Sequence, residues 1–147
     1  MIVSDLRALG VLHDGQRVGY TSGVFDLFHF GHVAYLEQCK KLCDVLVVGV
    51  DSDAMVKRNK SSNRPIEIES VRVRKVSEVV DYCFLKNEAS INYVRLFGPG
   101  YHFFSSEKDL NEAHVASISE IEGYLRYYLI PYTKGISTTE IIRVSNN

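Results

Sequence analysis

Asp44-Val45-Leu46-Val47-Val48-Gly49-Val50-Asp51 is the stretch of sequence that decides the fold. Between the two aspartates the residues are apolar or glycine without interruption, and most of them are β-branched valines. A strand with one face in water would alternate polar and apolar residues, so this continuous run predicts a strand buried on both faces. Such strands are typical of the centre of a parallel sheet, whose neighbouring strands are joined by long crossovers, usually helices.

The chain on either side of this run alternates between predicted strands and predicted helices. The other predicted strands are residues 17–23, 82–85, 101–104 and 126–132. The predicted helices are residues 4–12, 31–42, 69–80, 90–97, 110–124 and a short final helix over 137–143. This alternation indicates βαβ units. We therefore predict an α/β protein with a Rossmann-like doubly wound parallel sheet, and interpret residues 1–147 as a single domain.

Composition excludes several classes of protein. The 17 Lys and Arg nearly balance the 18 Asp and Glu, and 46% of the residues are hydrophobic. A near-neutral globular chain is not typical of a nucleic-acid coat or a protein bound to an anionic membrane. The first residues lack the basic and apolar segments of a signal peptide, and an odd number of cysteines (Cys39, Cys43 and Cys83) fits a reducing compartment. We expect a cytoplasmic protein with no nucleic-acid or membrane partner.

The segment after the first predicted strand carries the strongest chemical signal. It reads Gly23-Val24-Phe25-Asp26-Leu27-Phe28-His29-Phe30-Gly31-His32, with two histidines three residues apart at a predicted helix start. The N-terminus of a helix offers unpaired N–H groups and a positive dipole, which attract phosphate. Gly31 permits close approach of a ligand, and two imidazoles could donate hydrogen bonds to a phosphoryl group. The alternative is that the histidines only cap or pack the helix.

Two further segments are informative when they are considered together with the histidine segment. Gly135-Ile136-Ser137-Thr138-Thr139 places hydroxyl groups at the start of the predicted final helix. Considered alone, these hydroxyl groups would be interpreted as an N-cap of that helix. The basic cluster Lys57-Arg58-Asn59-Lys60-Ser61-Ser62-Asn63-Arg64-Pro65 would by itself be a solvated loop.

Together the three segments resemble the cytidylyltransferase-like nucleotidyltransferases. The histidine segment and Gly-Ile-Ser-Thr-Thr look like those of the cytidylyltransferases that act on cholinephosphate, ethanolaminephosphate and glycerol-3-phosphate. The basic cluster is similar to that of the adenylyltransferase domain that makes ADP-heptose. The resemblance implies transfer of a nucleotidyl group from a nucleoside triphosphate to a small phosphate monoester, with release of pyrophosphate. The acceptor phosphate attacks the α-phosphorus in line, without a covalent enzyme intermediate.

The resemblance assigns roles residue by residue. The catalytic residues are His29 and His32, which support the transition state, and Lys57 or Lys60, which neutralise the triphosphate or the acceptor phosphate. The residues predicted to bind the nucleotide are Ser22, Gly23, Val24, Phe25, His29, Gly31, His32, Arg64, Arg72, Gly135, Ile136, Ser137, Thr138 and Thr139. The residues predicted to meet the acceptor are Asp26, Ser105 and Ser106. No protein metal ligands are assigned, and Mg²⁺ is expected to arrive with the triphosphate.

Three of these assignments keep an alternative. Asp26 could face the acceptor or Mg²⁺, or cap the turn. The segment around Arg72 is shorter than in the relatives, which makes Arg74 a rival. The residues 104–107 stand where many relatives have a K-G-x-D-like segment, so Ser105 and Ser106 either bind a different, hydroxylated acceptor or form an ordinary turn.

We favour a nucleotidyltransferase that uses CTP, and three alternatives remain. The first is an ATP-dependent enzyme of the heptose-1-phosphate type. The second is a non-catalytic nucleotide sensor, and the third is a metal or redox protein that uses Cys39 and Cys43. The relatives lead us to expect a homodimer.

Overall fold

Six strands form one sheet in the computed structural model, which describes residues 1–59, 65–105, 124–130 and 139–144. The strands are β1 (Val18–Gly23), β2 (Val45–Asp51), β3 (Tyr82–Lys86), β4 (Tyr101–Phe104), β5 (Tyr124–Leu129) and β6 (Thr139–Val144). Their order across the sheet is β3-β2-β1-β4-β5-β6, and β1 to β5 run parallel. The predicted Rossmann-like parallel sheet is confirmed.

The strand order reverses beside β1. This strand pairs with β2 on one side, where Tyr20 lies opposite Val47, and with β4 on the other, where Tyr20 lies opposite His102. The chain thus builds the sheet outward from β1 in two directions. Open α/β sheets bind their ligands in the crevice that such a reversal leaves at the carboxyl ends of the strands.

Helices cover both faces of the sheet. They are α1 (Arg7–Leu12), α2 (Phe30–Lys40), α3 (Asp53–Asn59), α4 (Glu69–Ser77) and α5 (Ile91–Phe97). Leu36 of α2 and Val76 of α4 belong to one apolar cluster, whereas Leu9 of α1 and Phe97 of α5 belong to the other. The valines of β2 lie between the two clusters and are buried, as the continuous apolar run predicted. Helix α3 had no counterpart among the predicted elements.

The predicted final helix is wrong over the residues that the structure describes. The chain from Thr139 to Val144 is strand β6, which pairs antiparallel with β5 so that Ile142 lies opposite Arg126. Thr139, Ile141, Ile142 and Val144 are β-branched and favour extended backbone, and the edge of β5 offers hydrogen-bond partners that an isolated short helix would lack. Most of the predicted helix over 110–124 lies outside the described residues.

None of the described helices is long and apolar enough to cross a membrane.

The edge of the sheet at β3 is covered by the first residues of the chain. There the backbone N–H of Val3 donates to the carbonyl of Cys83, and the N–H of Cys83 donates to the carbonyl of Met1.

Candidate nucleotidyl-transfer site

The loop between β1 and α2 lies at the carboxyl end of β1, next to the reversal of strand order. Two of its residues, Phe25 and Leu27, have positive φ angles of 55° and 50°. This region of backbone space is uncommon for residues other than glycine, and bulky residues adopt it only where the surroundings require it. Phe25 is nevertheless buried. Such strain clusters at functional sites, where it holds a loop in one shape.

Both histidines of the loop cap helix α2 through Nδ1. His29 Nδ1 accepts the backbone N–H of Gly31 at 3.0 Å, and His32 Nδ1 accepts the backbone N–H of His29 at 3.2 Å. An imidazole nitrogen that accepts carries no proton, so the neutral rings bear their protons on Nε2. Capping and phosphate binding are therefore compatible, since they use opposite nitrogens of each ring.

The surroundings of His32 keep its ring uncharged. It stacks on His29 with ring centroids 3.9 Å apart and on Phe28 at 5.5 Å. Burial, and then the neighbouring charge of His29, lower the pKa of His32 from 6.5 to about 4, while the carboxylate of Asp26 opposes this change. At neutral pH His32 is consequently a hydrogen-bond donor and not a cation.

The lack of a side chain at Gly31 leaves room for the imidazole ring of His29. A Cβ atom at this position would stand 2.9 Å from Cε1 and 3.1 Å from Nδ1 of His29. The absence of a side chain thus lets the His29 ring reach its capping position. The sequence predicted room for a ligand at Gly31, and that role stays a prediction.

Asp26 anchors the loop to a distant segment. Its Oδ2 accepts the backbone N–H of Ile66 at 2.8 Å and its Oδ1 accepts the N–H of Glu67 at 2.9 Å. These contacts resemble the capping alternative, but across 40 residues of chain instead of within one turn. The predicted contact of Asp26 with an acceptor stays a prediction.

Arg72 joins the loop to the end of β2. Its side chain is fully buried, and four of its five N–H groups donate to protein oxygens. Nη1 donates to the carbonyls of Val24 and Asp51, Nε to that of Glu67, and Nη2 to Oδ1 of Asp53 at 2.7 Å. The rival Arg74 is exposed on α4. The structure therefore gives Arg72 a positioning contact with the loop, and its contact with a nucleotide stays a prediction.

The other predicted site residues fall into two groups. Ser22, Gly23, Lys57 and Ser105 are described: the first two end β1, Lys57 is exposed near the end of α3, and Ser105 follows β4. Thr139 begins β6. The remaining ones lie outside the described residues: Lys60, Arg64, Ser106, Gly135, Ile136, Ser137 and Thr138.

The described residues do not form a protein-built metal site. They contain no group of three or more His, Cys, Asp and Glu side chains that could hold an ion. Asp26, the carboxylate considered for Mg²⁺, uses both oxygens on backbone N–H groups. Cys39 and Cys43 are buried free thiols, and burial raises the pKa of Cys43 to about 11. Protonated thiols are poor metal ligands and nucleophiles, which removes the support for a metal or redox role.

A family model described as cytidylyltransferase-like matches residues 20–144, from β1 to β6. The chain belongs to this family. The match includes most of β1, the β1–α2 loop with its two histidines, and strands β2 to β6. Membership makes the chain a nucleotidyltransferase by family, as the resemblance implied.

Several cytidylyltransferase-like relatives are similar over most of the chain. The bifunctional protein HldE of Campylobacter fetus is 32% identical over 148 residues, which are 96% of this chain and 30% of HldE. HldE of Nitratiruptor sp. is 34% identical over 131 residues, 87% of this chain and 27% of HldE. The chain thus spans less than a third of the length of these relatives.

Solved structures share the fold of this cytidylyltransferase-like chain. A lipopolysaccharide core biosynthesis protein from Thermoplasma volcanium is 34% identical with a TM-score of 0.62, covering 70% of this chain and 85% of that one. Pantoate-β-alanine ligase from Francisella tularensis has a TM-score of 0.59 and covers 89% of this chain and 66% of its own. At 11% identity the ligase shows only a common fold.

Sequence reasoning missed several contacts around the cytidylyltransferase-like site. Asp53, the carboxylate partner of Arg72, carried no assignment, and neither did Glu67, whose backbone meets both Asp26 and Arg72. Lys86 was left outside the third predicted strand, which ended at residue 85, although it belongs to β3. A charged residue that directly follows an apolar strand was the available signal for it.

Proposed function

We propose that the chain transfers a nucleotidyl group from a nucleoside triphosphate to the phosphate of a small phosphorylated sugar or polyol. The single observation that carries the proposal is the pair of stacked, Nδ1-accepting imidazoles at the start of α2. In this arrangement Nε2 of each neutral ring carries the N–H, at the positive end of a helix and beside the strand-order reversal. Donors so placed stabilise negative charge that develops on a phosphoryl oxygen.

The proposed reaction forms one P–O bond and breaks another. An oxygen of the acceptor phosphate attacks the α-phosphorus in line, and the bond from this phosphorus to the pyrophosphate oxygen breaks. The protein positions the two phosphates, and His29 and His32 donate hydrogen bonds to the α-phosphate. Mg²⁺ is proposed only as the companion of the triphosphate, where it neutralises charge.

The choice of nucleotide rests on two sets of similarities. The HldE relatives, and the spacing of Lys57 to Pro65 that resembles the heptose adenylyltransferase domain, support ATP and a heptose 1-phosphate as substrates. The Gly-Ile-Ser-Thr-Thr segment resembles that of the cytidylyltransferases and supports CTP, the nucleotide favoured from the sequence. Since the relatives match most of the chain, we propose ATP, and CTP is the alternative that the same assay decides.

Pyrophosphate release tests this proposal. The protein is incubated with Mg²⁺, each of four nucleoside triphosphates, and a panel containing heptose 1-phosphate, glycerol 3-phosphate and phosphocholine. We expect pyrophosphate only when one triphosphate and one acceptor are present together. Tight binding of a triphosphate without pyrophosphate release for any acceptor would contradict the proposal and favour a nucleotide sensor.

A further inference from the structure

A buried pair of opposite charges lies at the carboxyl ends of two neighbouring strands. Asp51 ends β2 and Lys86 ends β3, and the two residues lie directly opposite each other in the parallel register. Lys86 Nζ stands 3.5 Å from Oδ1 of Asp51, with the side chains 8% and 17% exposed, respectively. The pair is thus at the ligand-binding edge of the sheet but away from bulk water.

The pair has unused hydrogen-bonding capacity. A good N–H···O bond is about 2.7–3.2 Å long, so 3.5 Å is an ion pair without a strong hydrogen bond. Lys86 Nζ donates to the sulfur of Met55, also at 3.5 Å, and a thioether is a weak acceptor. Within the described part of the chain, Asp51 Oδ1 is buried without a hydrogen-bond partner. Buried charges are stable when their hydrogen bonds are made, so both groups suit a further polar partner.

The position of the pair fits the far end of an acceptor. Arg72 Nη1 donates to the backbone carbonyls of both Val24 and Asp51, which ties the end of β2 to the β1–α2 loop. Strands lie about 4.8 Å apart, so the end of β3 is roughly 10 Å across the sheet from the end of β1, within the reach of a sugar phosphate. The segment predicted to hold the nucleotide phosphates leads into β6, on the opposite side of β1.

Polar side chains extend the pair toward β1. Tyr20 Oη lies 2.8 Å from Ser90 Oγ, and Ser22 Oγ lies 3.5 Å from the same atom. Gly49 connects this hydroxyl cluster with Lys86, because a Cβ there would stand 2.9 Å from Tyr20 Oη and 3.3 Å from Lys86 Cδ. Hydroxyl groups and one ion pair therefore lie side by side in this region, next to the ring of Phe84, whose Cζ would stand 3.1 Å from the same Cβ.

We propose that Lys86 and Asp51 form the subsite that binds a hydroxyl group of the acceptor and thereby select phosphate esters whose non-phosphate part is uncharged and polyhydroxylated. The inference rests on the proposed function, which supplies the acceptor phosphate at the histidine loop. A hydroxyl group can accept a hydrogen bond from Lys86 Nζ and donate one to Asp51 Oδ1 at the same time, so it satisfies the hydrogen-bonding capacity of both side chains. An acceptor with a quaternary ammonium would be repelled by the positive charge of Lys86, and one with a second phosphate would be repelled by the negative charge of Asp51.

The test compares two near-isosteric variants, Lys86→Met and Asp51→Asn, with the wild type. The matched control is Lys40→Met, whose ammonium contacts the carbonyl of Val79 at the end of α2. Calorimetric Kd values are measured for heptose 1-phosphate, glycerol 3-phosphate and phosphocholine, together with the Kd of the triphosphate. Thermal unfolding of each variant shows whether it is folded.

We expect both subsite variants to weaken binding of the hydroxylated acceptors at least ~10-fold, the scale of losing a charge-assisted hydrogen bond. Triphosphate binding and the Lys40→Met control should stay within about twofold of the wild type. Unchanged acceptor affinity in a folded variant would overturn the inference, as would failure of the wild type to bind any hydroxylated acceptor. Because binding is measured without turnover, absence of pyrophosphate release would overturn the proposed function alone.

Discussion

His29 and His32 stack with their ring centroids 3.9 Å apart, and His32 Nδ1 accepts the backbone N–H of His29. The two rings therefore hold each other in place, and both present Nε2 away from the helix cap. A change that removes one ring or moves it alters the donor geometry of the other.

Removal of the His32 ring is expected to impair catalysis. His32→Ala should lower kcat at least ~100-fold, the usual scale for losing a donor to a transition-state oxyanion. The measurement is steady-state pyrophosphate release, and Gln38→Ala, at an exposed position of the same helix, is the control. Turnover within a few-fold of the wild type would disprove the role assigned to His32.

A side chain at position 31 is expected to displace the capping histidine. In Gly31→Ala the new Cβ would stand 2.9 Å from His29 Cε1, so the ring must move and its bond to the N–H of residue 31 is lost. We expect kcat to fall about 10- to 100-fold while the protein stays folded, since misplacement by about 1 Å has such effects. Gly100→Ala is the control, because a Cβ at Gly100 meets nothing within 4 Å. Equal activities of the two variants would contradict the packing argument.

Arg72 is expected to act through the loop. Arg72→Lys keeps the charge but cannot reproduce a fork that reaches four acceptors, and it leaves buried carbonyls without donors. We expect a loss of unfolding free energy of about 3 kcal/mol and a lower kcat with little change in the KM of the triphosphate. Arg74→Lys, on the exposed side of α4, should stay within about 0.5 kcal/mol. If KM alone rose and stability were unchanged, Arg72 would instead bind the nucleotide directly.

Asp26 is expected to matter as an anchor and not as a metal ligand. In the wild type two backbone N–H groups donate to the two oxygens of Asp26. Asp26→Asn keeps only one acceptor oxygen, so one of these N–H groups loses its partner. We expect about 1–3 kcal/mol of destabilisation and a lower kcat, while the Mg²⁺ concentration for half-maximal activity is unchanged. A large shift of that concentration in a stable variant would place Asp26 beside the ion.

Acid is expected to destabilise the protein through two histidines. Burial lowers the pKa of His32 to about 4 and that of His102 to about 3, from 6.5. Between these native pKa values and the unfolded value of 6.5, the unfolded chain binds protons that the native protein does not. The free energy of unfolding therefore rises with pH across this window. Their contribution is complete above pH 6.5 and is lost as the pH falls toward 3.

Denaturant unfolding between pH 7 and pH 4 measures this dependence. His102→Phe should reduce proton uptake on unfolding by about one proton, and phenylalanine suits a site where His102 lies against Tyr20 and Phe104. An identical pH slope in the variant would show that His102 is not held neutral in the native state.

Local patterns in the sequence predicted most of the sheet. Strand β2 could be recognised because burial on both faces is visible as an unbroken hydrophobic run, and short segments that became β1, β3 and β4 were predicted around it. The histidine motif could be recognised for a similar reason, since its residues are neighbours in the chain. Strand β6 was mispredicted because short β-branched segments follow whichever partner the tertiary structure offers, here the edge of β5.

The sequence by itself determined the fold class, the histidine loop at the end of β1 and the family to which they belong, because each apolar run and each motif that indicates them consists of residues close together in the chain. Only the tertiary structure decided that Arg72 holds the loop, that Asp26 binds the backbone of Ile66 and Glu67, and that Lys86 faces Asp51. These contacts join segments 21 to 48 residues apart for Arg72 with Asp51 and Val24, and 40 or 41 for Asp26. The arrangement of parallel strands brings such segments to one edge of the sheet, and no local pattern records which of them will meet.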